Sequence, residues 1–226
     1  MLYIIPTPIG SLSELSPQIY ELLTNVSYIA CEDPRSLQRL LTTLSITSQA
    51  KILHIHQKNE FEQLPFLISL LERGEAIALM SDAGLPGLQD PGMLLIHQCA
   101  MKGLPYSVIP GPSAITTAVV AAGIHFDSFS FSGYFPRKDG DKARLLAQYS
   151  NIKGKHLLVF FESPHRIKHT LGWFNDMYPF AELIVCRELG KLHEHVHRGS
   201  VTELQKQDYK GEMTIVLSIS SLTQNS

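Results

Sequence analysis

The chain has 226 residues, 44% hydrophobic and 18% charged, with a formal net charge of −2 at pH 7. That length holds one large core or two small ones, and the charge balance argues against broad, non-specific nucleic-acid binding while leaving room for a local basic patch. No stretch reaches the run of about 18 apolar residues that a membrane-spanning helix needs, and Met1 to Pro6 lacks the basic segment of a signal peptide.

Tyr3 to Ile5 reads as a first strand. Ser16-Pro17 opens a helix, with Pro in its first turn and Ile19, Leu22 and Leu23 on one face. Val26 to Cys31 is a second strand, and Ser36 to Leu44 a helix with Leu37, Leu40, Leu41 and Leu44 at helical spacing. Lys51 to His56 is a strand, Phe61 to Arg73 a helix closed by Gly74, and Ile77 to Met80 a buried strand. Gly92 to Lys102 is a helix ended by Gly103, Tyr106 to Ile109 a strand, and Ser113 to Ala122 a small-residue helix ended by Gly123. This alternation predicts a mostly parallel sheet covered by helices, an α/β fold. The texture changes near Asp127, where Phe129, Phe131, Tyr134 and Phe135 precede a basic stretch. A helix follows, then a strand from His156 to Phe161, a helix, a strand from Glu182 to Cys186, and a last strand from Met213 to Ile219. The expected domains are 1–125 and 126–226.

Cys31, Cys99 and Cys186 are odd in number and far apart, which suits buried thiols in a reducing compartment. Without a Cys-x-x-Cys pair no structural zinc is expected. His193, His195 and His197 alternate and share a face if extended; they read as an exposed histidine face rather than a metal site.

Three loops rich in glycine and proline follow three predicted strands: Pro6 to Ser11, Ser81 to Gly92, and Pro110 to Ala114. Ligands of open α/β sheets bind beyond the carboxyl ends of the strands, so these loops outline a binding site. Glycine lets backbone groups approach a ligand, and proline holds loop shape. Neither Gly-x-x-x-x-Gly-Lys-Ser/Thr nor Gly-x-Gly-x-x-Gly is present, which disfavours ATP, GTP and NAD.

Tyr3 to Gly10, Glu32-Asp33-Pro34-Arg35, the 81–92 loop, Pro110 to Ala114, Glu162 to Arg166, Arg187-Glu188-Leu189 and Lys191 to Glu194 together resemble, in order, the motifs of the ribosomal RNA small subunit methyltransferase I family, of the tetrapyrrole methylase-like fold. The resemblance runs from about residue 3 to 219. It implies two α/β domains with the cofactor cleft between them and S-adenosylmethionine as methyl donor. It also implies 2′-O-methylation of a cytidine in small-subunit (16S) ribosomal RNA by a cytoplasmic homodimer. Carried over by motif, the donor contacts are Ile9, Asp82, Gly84, Gly87, Ser113 and Ala114, with Phe161 and Leu189 from the second domain. Pro34, Leu85, Gln89 and Gly190 depart from the family pattern, each removing or moving a hydroxyl. The chain ends soon after its last strand, where family members usually continue into a small C-terminal domain, so the resemblance is to a short form.

A 2′-hydroxyl is a weak nucleophile, so a base or a charge-stabilising group is expected beside it. The candidates are Glu32, Asp33, Arg35, Asp82, Glu162, His165, Glu188 and Lys191. Asp33 also suits a helix N-cap, His165 a solvated loop, and Arg187, Glu188 and Lys191 an internal ion pair. The sequence does not choose a base among them. Arg35, Arg39, Arg137, Lys138, Lys142, Arg144, Arg166, Lys168, Arg187 and Lys191 are candidate RNA contacts. Tyr134 and Phe135 fit either a stacking platform or core. One nucleotide turned out of its strand would reconcile a modest basic patch with specific action. The alternatives are the same fold acting on a small molecule such as a tetrapyrrole, and a non-catalytic relative that holds S-adenosylmethionine or RNA.

Overall fold

The computed structural model describes residues 1–223, which divide into two compact units, Met1–Ser113 and a second that begins at Ala114. Among the described residues no helix is long and apolar enough to cross a membrane.

The first unit runs β1 (Leu2–Ile5), α1 (Pro17–Asn25), β2 (Tyr28–Cys31), α2 (Pro34–Thr43), β3 (Lys51–His54), α3 (Glu60–Glu72), β4 (Ile77–Met80), α4 (Met93–Lys102) and β5 (Tyr106–Val108). Its five strands lie in the order β3-β2-β4-β1-β5, all parallel. β4 is buried along its whole length, as a strand covered on both faces must be. Helices α1 and α2 pack Ile19, Leu23, Leu37 and Leu41 on one face, against Ile5, Ile29 and Met80. Helices α3 and α4 pack Leu67, Leu71, Leu95 and Cys99 on the other, against Leu2, Ile4 and Leu79. The chain leaves β1 towards β2 and leaves β4 towards β5, in opposite directions from two neighbouring strands. A crevice at their carboxyl ends results, the usual place for a ligand in such sheets.

The second unit contains α5 (Ala114–Ala121), β6 (Ser128–Tyr134), α6 (Asp139–Ala147), β7 (His156–Glu162), α7 (Ile167–Met177), β8 (Leu183–Arg187), β9 (His195–His197), α8 (Val201–Gln205) and β10 (Met213–Ser218). Its sheet has the order β6-β7-β10-β8-β9, in which only β6 and β7 are parallel. The mostly parallel pattern expected of the chain therefore holds for the first unit alone. In β6 Phe129 and Phe131 alternate with serines, and the alternation breaks near its end, where Gly133 takes a left-handed φ and the register with β7 shifts. Helix α5 packs on β7 and β10. It therefore belongs with the second unit, and the division falls at 113/114, before that helix, rather than at the 125/126 read from the sequence. The core of this unit centres on stacked Phe135, Phe160 and Phe174, with Trp173 edge-on.

Candidate active site

The loop after β1 and the glycine loop after β4 are tied to each other. Thr7 N–H donates to Gly84 O and Gly84 N–H to Thr7 O, both at 2.8 Å, and Thr7 Oγ1 donates to Ser81 O at 2.7 Å. Gly84 has φ +75°, and a Cβ there would stand 3.6 Å from Ile9 Cγ2 and 3.9 Å from Pro112 O. The three glycine- and proline-rich loops thus meet around one left-handed glycine. Gly111 is fixed for a different reason: a Cβ on it would lie 2.3 Å from the ring of Pro6. Two acids outside the motifs brace this edge. The Glu14 carboxylate accepts from the amides of Ile9, Gly10 and Ser11 at 2.8, 3.1 and 2.6 Å. The Glu60 carboxylate accepts from Gly92 N–H at 2.9 Å and Leu94 N–H at 3.1 Å, holding the far end of the glycine loop. The Ser11-x-x-Glu14 spacing is a capping box and makes Glu14 findable; Glu60, reaching across from α3, has no local signal. Because Glu14 takes the Ile9 amide, Ile9 has its carbonyl and side chain to offer a ligand.

Asp33 caps α2: its carboxylate accepts from Arg35 N–H at 2.8 Å and Ser36 Oγ at 3.2 Å. The Arg35 amide bond, with help from Ser36, holds its carboxyl below the usual range. The capping reading is thus the one observed, and Pro34, a departure from the family pattern, sits at a first-turn position that suits proline. Arg35 is exposed. Glu32 differs from Asp33. It is half-buried and makes no hydrogen bond or ion pair among the described residues. Burial first, then the carboxylate of Asp82, pushes its pKa up, against the opposing pull of His56 and His54. The histidines arrive by register: Cys31 pairs with His54 across β2 and β3. Asn59 holds them, donating to His54 O at 3.0 Å and accepting from His56 N–H at 2.8 Å. Neither histidine stands out in the sequence, since nothing local says which strand lies beside β2. The exposed Asp82 and the half-buried Gly87 and Ser113 complete this edge. Burial, with the carboxylates of Asp82 and Asp33, pushes the Cys31 thiol up to about 12.

In the second unit the motif residues form two braced turns. The buried Glu162 accepts from Thr170 Oγ1 at 2.6 Å and Ser163 N–H at 2.8 Å and pairs with Arg166 Nε at 3.3 Å. Arg166 also donates to Phe135 O. Glu162 and Arg166 are therefore structural, not a base and an RNA contact, whereas His165 is exposed. Glu188, at φ +51°, accepts from Glu212 N–H at 2.8 Å and Lys191 Nζ at 3.1 Å, and Lys191 also reaches Glu212 at 2.8 Å. Burial opposes both charges, but these partners outweigh it, holding the Glu188 carboxyl low and the Lys191 ammonium high. Neither is poised to take a proton at neutral pH, and the internal ion pair is the observed reading. Gly190, another departure, occupies a left-handed turn at φ +75°. Arg187 donates to His193 O at 2.8 Å. Leu189 is buried, and Phe161 packs its ring edge-on against Phe131 and Tyr134. Ala114 begins α5.

Two of the basic candidates and one aromatic are corrected by their surroundings. Lys142 is buried, paired with Asp139 at 2.9 Å and lying over the Trp173 ring. Arg166 is tied down as above, and Phe135 is core. Arg137, Lys138 and Tyr134 are exposed. His195 and His197 face each other at 4.1 Å on β9, and among the described residues no three His, Cys, Asp or Glu side chains converge on a metal position.

Three backbone-rich loops at a strand-edge crevice, with no phosphate loop, suit a ligand held largely by backbone groups, and similarity to known proteins places the chain among methyltransferases of the tetrapyrrole methylase fold. The family model of tetrapyrrole (corrin/porphyrin) methylases matches residues 1–205. The chain is 37% identical over 222 residues to a ribosomal RNA small subunit methyltransferase I from Hydrogenobaculum sp., covering 96% of this chain and 95% of that one. It is also 37% identical to the Vibrio cholerae protein of the same name, covering 96% of this chain and 76% of that one. The crystal structure of diphthine synthase shares the fold, with a TM-score of 0.70 at 15% identity over 96% of this chain and 89% of that one. The chain belongs to the ribosomal RNA small subunit methyltransferase I family, whose methyl donor is S-adenosylmethionine. The meeting of the loops fits that donor: the space a Cβ of Gly84 would fill lies between Ile9 and Pro112, lined by backbone and apolar groups.

Proposed function

We propose that this chain 2′-O-methylates a cytidine of small-subunit ribosomal RNA, acting in the cytoplasm as a homodimer. Its relatives' name supports the RNA acceptor. The observation that favours an oxygen acceptor is Glu32, a half-buried carboxyl raised by burial and by Asp82. A ribose hydroxyl must lose its proton as it attacks, and a base of raised pKa takes it more effectively. Ile9, Asp82, Gly84, Gly87 and Ser113 hold the donor, largely through backbone. When bound, S-adenosylmethionine supplies an electrophilic methyl on a good leaving group. The protein's own part is alignment and exclusion of water. The Thr7–Gly84 pair and the Glu14 and Glu60 braces keep the loops in one shape before anything binds. Glu32 then accepts the hydroxyl proton, and Asp33 fixes the start of α2 beside it. Exposed Arg35, Arg137 and Lys138 position the phosphates.

The test is calorimetric titration with S-adenosylmethionine, followed by incubation with unmodified small ribosomal subunits and radiolabelled donor. Label at one alkali-resistant linkage next to a cytidine supports the reading. Donor binding without label in RNA overturns the acceptor, and sedimentation decides the dimer.

A further inference from the structure

We propose that a cavity within the first unit receives the base of the acceptor nucleotide, turned out of its RNA; this rests on the functional reading above. The cavity has a volume of about 270 Å³ and lies on the side of the sheet covered by α1 and α2. It is just below the ~300–1,000 Å³ of typical ligand pockets. That suits one heterocycle with part of its sugar. Thr7, Ser81 and Asp82 are among its walls while Gly84, Gly87 and Ser113 are not, so it adjoins the place where the loops meet on one side of it.

Its chemistry selects a flat aromatic ring. The floor is Cys31, Leu37, Leu40 and Met80. Two of these present sulfur, whose contacts with aromatic rings are favourable. The Cys31 thiol stays neutral, being pushed up to about 12, so this floor is soft and uncharged. The rim sets an acceptor beside a donor. Ser36 Oγ donates to Asp33 Oδ2 at 3.2 Å, and Arg39 Nη2 donates to Ser36 Oγ at 3.2 Å. The hydroxyl thus links the carboxylate to the guanidinium. Asp33 keeps lone pairs beyond those its cap uses. Cytosine carries an amino donor next to ring acceptors, and a carboxylate is the natural partner of that amino group. Uracil would turn a carbonyl oxygen towards Asp33 and be repelled. The cavity also adjoins the chemistry. Asp82 of the donor loop lines it, and Glu32, which is not itself one of the walls, stands in the chain between two lining residues, Cys31 and Asp33. A base seated there lies against Asp82, a residue that the cavity shares with the proposed donor loop.

The experiment fills the cavity from two rims. Leu12, 37% exposed on the turn after β1, and Thr43, exposed at the end of α2, both line it, so Leu12→Trp and Thr43→Trp block it without disturbing the core. Cytidine 5′-monophosphate and uridine 5′-monophosphate are offered to wild type and both variants in saturation-transfer NMR, alongside donor titration and single-turnover methylation of small subunits. The expected result is transfer to the cytidine ring at millimolar nucleotide, weaker for uridine, and lost in both variants. Methyl transfer should slow at least ~100-fold in the variants, the scale of a misplaced reactant, with donor affinity within about twofold. Absence of nucleotide binding by wild type, or variants that bind and methylate like wild type, overturns the proposal. If wild type labels no subunit, the functional reading fails on its own, and nucleotide binding by wild type against the tryptophan variants still decides the cavity.

Discussion

Thr7 and Gly84 exchange both of their backbone hydrogen bonds, at 2.8 Å each, so two loops from neighbouring parallel strands are locked by a single antiparallel bridge. The bridge is possible because Gly84 adopts φ +75°, where a side chain costs roughly 1–2 kcal/mol. Gly84→Ala should lose about that stability and, in addition, most of its donor affinity. Gly74→Ala, at φ +86° with nothing within 4 Å, is the control for backbone strain alone. Urea denaturation and donor titration of the pair separate the effects; equal donor affinity in both would remove Gly84 from the binding site.

Glu32→Gln should lower the single-turnover rate by ~10²–10⁴-fold, the range for general-base catalysis, and leave donor affinity unchanged. The acid limb of the wild-type rate profile should lie above that of an unperturbed glutamate, since burial and Asp82 raise this group. Stability follows the opposite sense. A raised carboxyl favours the folded state below its unfolded pKa, and that contribution is lost as pH rises through the folded value. Glu32→Gln should therefore be at least as stable as wild type at pH 7, while Asp33→Ala, which removes the cap of α2, should be less stable by about 1 kcal/mol.

Arg166→Ala should destabilise by about 3–5 kcal/mol, because it leaves the buried Glu162 carboxylate without its cation. Glu162→Gln should be milder, keeping hydrogen bonds to Thr170 and Ser163. Reduced RNA affinity at unchanged stability in Arg166→Ala would restore Arg166 as an RNA contact.

Lys191→Arg should leave the alkaline limb of the rate profile in place, since Glu212 and Glu188 hold the ammonium charged. The brace itself has two limits. Glu188, held low, gives stability that is lost as pH falls through its folded value, and Lys191, held high, gives stability that is lost as pH rises through its own. A limb that moves with Lys191→Arg would mark this lysine as the base.

Arg137→Ala with Lys138→Ala should weaken RNA binding and reduce the salt slope by about one for each phosphate no longer neutralised, with donor affinity unchanged. Filter binding over a salt series measures both.

Much of the first unit is legible because β1, β4 and β5 are short runs bounded by Gly or Pro, and α2 carries its Asp33 cap in the sequence. The donor loops stand out for the same reason. What local reading misses is set by neighbours in space. His54 and His56 matter because β3 lies beside β2, and Glu60 because it reaches α4 across the unit. Lys142 and Arg166 look like surface cations until Asp139, Trp173 and Glu162 are placed around them. In the second unit the antiparallel pairing of β10 between β7 and β8 is invisible, because a fully buried strand reads the same in either direction.

All three cysteines are buried, with Cys31 pushed up to about 12, Cys186 to about 11, and Cys99 raised. Thiol reagents attack the thiolate, so the folded protein should be nearly silent towards maleimides without any cysteine being removed. A single cysteine introduced at Leu192, 93% exposed on the turn before β9, would then carry a fluorophore or cross-linker as its sole reactive thiol, and unexpected background labelling would become a direct gauge of unfolding.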